Sequence, residues 1–177
     1  VEPVQTNFEA CLKFVLKEEG GDDDDPRDPG GRTSRGITQR EYNAWQFLHH
    51  AATGDVWKAD DATVKAIYQQ SYWLPYCDAL PAGLDLLYFD MNVNMGMHES
   101  TLLLQRGLGV TADGHFGIVT MAAIRQTHDL VELLKLVSTK REDFYKGLRT
   151  FRTFGKGWTG RVDRCLHLAL TMAGGTA

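Results

Sequence analysis

The sequence predicts a mainly α protein with a short glycine-rich loop or β-hairpin near its N-terminus. Three observations predict it. Helix-start signals recur along the chain, the apolar residues after them keep helical spacing, and loop punctuation is concentrated between residues 20 and 36. Thr6 with Glu9 makes a capping box ahead of Phe8, Leu12, Val15 and Leu16, which share one apolar face. That helix is expected to stop at Gly20-Gly21. Residues 20–36 read as loop, with a short strand or two around Arg32–Ile37. Thr38 with Glu41 repeats the capping box, residues 60–74 are helical, and Pro75 and Pro81 bracket a turn. The run LDLLYFDMNV, Leu84–Val93, is apolar nearly all round and is expected to be a buried helix. Further helices are expected over 100–108 and from His115 to Thr127. Asp129 with Glu132 then starts a long helix whose rhythm continues through Phe144, Tyr145, Leu148 and Phe151, and a last one covers about 159–173. No proline follows Pro81 to break any of these.

With 177 residues, 43% of them hydrophobic and 24% charged, the chain has room for one domain, or one with a small companion. Collagen-like, disordered and disulfide-scaffold classes are excluded. No apolar run approaches the ~20 residues that span a bilayer, and the N-terminus, beginning at Val1, lacks the layout of a secretory signal. Three cysteines, far apart and without metal spacing, fit a reducing compartment. The net charge of −4 conceals an asymmetry. Residues 18–28 hold seven acids against Arg27 alone, leaving the remainder at +2. Residues 135–164 carry nine basic residues against three acids, which reads as a solvated basic helix face able to attract an anionic polymer.

The segment from Glu19 to Thr38 carries the chemistry. Glu19 is placed in the last turn of the first helix, at the negative end of the helix dipole, with acids on either side. Both effects favour the protonated carboxyl that a general acid needs. Lysine or arginine is the stabilising choice there, so Glu18-Glu19 breaks a local rule, as functional sites do. Asp28 follows nine positions later in a turn built by Pro29 and Gly30-Gly31. Two carboxyls on opposite lips of a loop are the minimum for cleaving a glycosidic bond, and the Thr33 hydroxyl is placed to hold a water. The competing reading of the same residues is an acidic surface loop with a Gly-Gly helix stop.

Glu19-Gly20-Gly21, then Asp28-Pro29-Gly30-Gly31-Arg32-Thr33-Ser34-Arg35-Gly36-Ile37-Thr38, resembles the signature of the phage-type lysozymes of glycoside hydrolase family 108. The run from Phe89 to Gly96 is similar to that family's buried helix end. Leu104-Gln105 with Asp113-Gly114, Phe116-Gly117 and Thr120 resembles the peptidoglycan-binding-type region that follows it. Arg141, Phe144-Tyr145, Phe154, Gly157-Trp158 and Arg161-Val162 are similar to its ending. The resemblance implies a lysozyme-like helical fold, with a catalytic region over 1–95 and a helical peptidoglycan-binding-like region over 96–177. It implies an N-acetylmuramidase that cuts the β-1,4 bond between N-acetylmuramic acid and N-acetylglucosamine. Glu19 falls on the catalytic glutamate, and Asp28 and Thr33 fall where a second carboxylate and a supporting hydroxyl are placed. The Asp22–Asp25 run stands where the family has an aromatic or apolar residue.

Of the remaining residues, Tyr72 and Trp73 are candidate sugar-stacking aromatics, with a place in the core as the competing reading. Asn94 is a candidate for binding an acetamido group, or caps its helix. Trp158 is expected to cover the last two helices. The aspartate run lacks the alternating layout of a calcium loop, and the six histidines lack ligand spacing, so neither metal nor cofactor is expected. The expected partner is the peptidoglycan glycan strand, for a monomer without nucleic-acid binding or membrane insertion. Such a chain would be made in the bacterial host cytoplasm as an endolysin and reach the wall through a pore or dedicated export. Two other functions fit the same residues: a non-catalytic wall-binding module, and a lytic transglycosylase that yields an anhydro product.

Overall fold

The computed structural model describes residues 7–23 and 32–174. Among the described residues it is mainly helical. Helix α1 (Phe8–Glu19) leads into a small antiparallel sheet of β1 (Asp22–Asp23), β2 (Thr33–Ser34) and β3 (Ile37–Thr38). Then come α2 (Gln39–Leu48), α3 (Asp61–Tyr68), which continues as a π-helical turn over Gln69–Trp73, and α4 (Leu84–Met95). Helices α5 (Met97–Leu108), α6 (Ile118–Arg125), α7 (Leu130–Lys146) and α8 (Phe151–Met172) complete the chain. The predicted fold class, a lysozyme-like helical fold with a short hairpin near its N-terminus, holds.

Local chemistry accounts for the starts. The Thr38–Glu41 capping box forms, the Thr38 hydroxyl accepting from the Glu41 amide and the Glu41 carboxylate from the Thr38 amide. Asp60 accepts from the Thr63 amide at α3, and Asp129 from the Glu132 amide at α7. The Thr6 half of the first expected capping box lies outside the described residues.

Two expectations shift. Asp22–Asp23, read as loop, pairs with β2 in the register Asp22↔Ser34 and Asp23↔Thr33. Pairing satisfies the backbone groups and overrides the poor strand propensity of aspartate. The long helix expected from residue 129 stops at Lys146, and the last helix begins at Phe151 rather than near 159. In that added turn Gly155 is buried and lets the Phe151 ring lie where a Cβ would be.

The chain gathers into two compact units, Leu12–Tyr72 and the start of α1 joined with everything from Trp73 onward. The division expected from the resemblance falls instead after residue 95. Helix α4 explains the difference, because it packs against α5, α7 and α8. Leu84 through Asn92 are all buried, each large apolar side chain contributing about 1.5–3 kcal/mol. Phe8, Trp73 and Phe89 form an aromatic cluster, with centroids 5.3 Å apart for Phe8–Trp73 and for Trp73–Phe89.

Buried within α4, Asp90 meets Arg141 of α7 at 2.7 Å and Arg161 of α8 at 2.7 Å. Burial alone would raise the Asp90 carboxyl, but the two guanidiniums outweigh it and hold it below the usual carboxylate range. These two arginines correct the reading of 135–164 as a wholly solvated basic face. Gln105, also buried, donates to Asp113 Oδ1, His115 O and Thr120 Oγ1, and accepts from the amides of Asp113 and Gly114. The Leu104-Gln105, Asp113-Gly114 and Thr120 pattern is therefore one hydrogen-bonded turn. Cys11, Cys77 and Cys165 are buried as thiols, none of them in a disulfide.

Candidate active site

The Leu12–Tyr72 unit holds the site. Glu19 is the last residue of α1 and half-buried, and Gly20 turns the chain away at φ +79°. Across from it stands the β2–β3 turn. Arg35 and Gly36 have φ of +50° and +79°, the pattern of a two-residue type I′ hairpin turn. The Arg35 amide donates to Gly21 O at 3.3 Å, tying the turn to the chain just past Glu19. A Cβ on Gly36 would lie 2.8 Å from Glu19 Oε2 and 2.6 Å from Tyr68 Oη. Only glycine fits between the carboxylate and the phenol.

Thr33 lies on β2, pairing with Asp23 on one side and Thr38 on the other. Its carbonyl accepts the Trp57 indole N–H at 3.1 Å, and Arg32 stacks over that indole while pairing with Asp55 at 2.8 Å. The strand that carries Thr33 is thus fixed from outside as well as by the sheet.

Tyr72 lies beside a second carboxylate. Its hydroxyl donates to Glu41 Oε1 at 2.7 Å, and its ring is 5.6 Å from that of Tyr68. Burial, then the Glu41 hydrogen bond and the Glu41 and Glu19 charges, push the phenol far above its ordinary value. It therefore stays a donor at all working pH. Tyr72 also lines a cavity of about 340 Å³ with Glu41, Trp45, His49, Gln70 and Ser71.

This arrangement, a helix-end glutamate facing a tight hairpin turn, stands within a match to the family described as Glycosyl hydrolase 108 over residues 12–96. A solved structure of Brucella abortus SagA is similar to the chain, with 34% identity over 94% of this chain and 95% of that one, at a TM-score of 0.83. The chain belongs to the glycosyl hydrolase 108 family. It is a glycoside hydrolase of the lysozyme type, a peptidoglycan hydrolase. Among curated proteins no sequence matches.

Within the glycosyl hydrolase 108 match, the expected residues fall in different places. Glu19, Thr33 and Tyr72 belong to the Leu12–Tyr72 unit, and Asp28 lies outside the described residues. Trp73 is 1% exposed, its ring against Phe8 and Phe89 and its N–H on Asp78, so it offers no face to a sugar. That expectation is corrected to core. Asn94 belongs to the other unit, where Oδ1 accepts from Tyr145 at 2.7 Å. Tyr145 also meets Trp158, with ring centroids 5.2 Å apart. Sequence reasoning missed Arg35, Gly36, Tyr68 and the second role of Glu41. Arg-Gly between Thr33-Ser34 and Ile37-Thr38 was the available signal for the turn; nothing marked Tyr68.

Proposed function

We propose that this peptidoglycan hydrolase is an N-acetylmuramidase cleaving the β-1,4 bond between N-acetylmuramic acid and N-acetylglucosamine, with Glu19 as general acid. The supporting observation is the enclosure of Glu19, a carboxylate at a helix end walled by the Gly36 turn. Its proton goes to the leaving glycosidic oxygen as the bond breaks. Asp28 activates water or stabilises the oxocarbenium-like transition state, and Thr33 orients that water. Tyr72 and Asn94 contribute to substrate binding, and the helical region over 96–177 holds the anionic wall. The chain acts as a phage-type endolysin and reaches the wall after release through a pore or export route. Its substrate lies outside the cytoplasmic membrane, and no helix among the described residues is long and apolar enough to cross one.

The test is mass spectrometry of purified peptidoglycan digested by the wild type and by Glu19→Gln. Reducing-end muramic acid from the wild type, with a loss of at least a hundredfold in Glu19→Gln, is the expected result. Anhydro-muramic ends would replace hydrolysis by transglycosylation. Activity retained above a few per cent in Glu19→Gln would remove the glutamate from the mechanism.

A further inference from the structure

We propose that Tyr68 is a positioning residue for Glu19, acting through the Arg35–Gly36 turn. The proposal rests on Glu19 being the general acid. An arginine in the left-handed region is strained, since type I′ turns favour asparagine or aspartate followed by glycine. Strain of this kind persists only where the surroundings over-determine it. Arg35 is held at three places. Its amide donates to Gly21 O, its guanidinium reaches Asp61 at 2.7 Å and the carbonyl of Ala59, and its own carbonyl accepts from Tyr68 Oη at 2.7 Å.

Exposure decides which of these matters most. The Asp61 side chain is fully exposed, so that ion pair is screened and weak. Tyr68 is 1% exposed, and a buried hydroxyl that loses its acceptor has no water to replace it. Tyr68 is therefore the firm anchor of the turn. The anchored turn is also the wall of the acid: a Cβ at Gly36 would fall 2.6 Å from Tyr68 Oη, 2.8 Å from Glu19 Oε2 and 2.9 Å from Glu19 Cγ. Any movement of Arg35 carries Gly36 with it and changes the space open to the carboxyl. Tyr68 thus limits where Glu19 can hold its proton without touching substrate itself.

The experiment compares initial rates on soluble glycan fragments for wild type, Tyr68→Phe, Glu19→Asp and the double variant, with thermal midpoints taken alongside. Tyr68→Phe removes only the hydroxyl and is expected to lower kcat about tenfold with KM within about twofold. In the Glu19→Asp background, where the acid is already displaced, the same change is expected to cost little more. An unchanged kcat in Tyr68→Phe, or losses that multiply fully in the double variant, would overturn the proposal. Should Tyr68→Phe not fold, Gly36→Ala asks the same from the other side, with a loss in kcat on the order of a hundredfold expected at unchanged KM. Equal changes in kcat and KM there would also overturn it. Activity surviving in Glu19→Gln is a separate failure, that of the acid assignment. A dead Glu19→Gln beside a fully active Tyr68→Phe defeats the clamp alone.

Discussion

Gln105 is buried and uses both ends of its amide in one turn, where the Gly114 amide and the Thr120 hydroxyl that it meets are buried as well. Replacing it by leucine keeps most of the volume but orphans the Asp113 and Gly114 amides. The expected cost is about 2–3 kcal/mol, read as a lower urea midpoint at an unchanged slope. Gly114 belongs to the same turn: at φ +73° it packs where a Cβ would meet the His98 ring at 2.2 Å. These residues were legible as a motif, because turn chemistry is written in residue types. Their role as a fold determinant was not, because a glutamine side chain does not announce its partners. The place of Glu19 at the end of α1 was legible from the Gly20-Gly21 stop, and local stability alone would not choose a glutamate there. Tyr68 was invisible, since a tyrosine on a helical face reads as core until its hydroxyl is seen on the Arg35 carbonyl.

Among elements, α4, α7 and α8 share the Asp90 carboxylate, and this is where the sequence misled most. A basic stretch with few acids reads as a solvated face, because an acid some fifty or seventy positions away cannot be assigned to it. Asp90→Asn leaves the buried Arg141 uncompensated, and a cost of about 3–5 kcal/mol is expected. The pH dependence has a definite sign. The folded carboxyl titrates below its unfolded counterpart, so its contribution is fully present above the unfolded value. It is lost as pH falls through the folded one. Chemical unfolding from pH 7 downward is expected to show a fall in stability on the acid side that Asp90→Asn flattens; parallel curves for the two proteins would refute this. Helix existence was legible through caps and periodicity, whereas the α7–α8 break was hidden by apolar residues that kept their rhythm into a turn. Leu148, one of them, is 36% exposed.

On the scale of the whole molecule, charge is spread unevenly along the chain. Residues 18–28 hold seven acids, while residues 146–157 contain four basic residues and no acid. Lys146 is partly neutralised by Glu142 and Asp143, but Arg149, Arg152 and Lys156 are exposed, with no ion pair among the described residues. Phe154, 54% exposed, adds an apolar surface beside them. Three free cations at one helix junction attract an anionic polymer at low salt and lose that attraction as the screening length shrinks to about 8 Å at physiological ionic strength. A triple reversal, Arg149→Glu, Arg152→Glu and Lys156→Glu, is therefore expected to weaken co-sedimentation with purified walls about tenfold at low salt and far less at high salt. On short soluble glycans, which need no such grip, kcat is expected to stay unchanged because none of the three belongs to the Leu12–Tyr72 unit that carries Glu19. Equal sedimentation of the two proteins at low salt would return this segment to an ordinary solvated face, and a fall in kcat on short glycans would tie it to the chemistry instead.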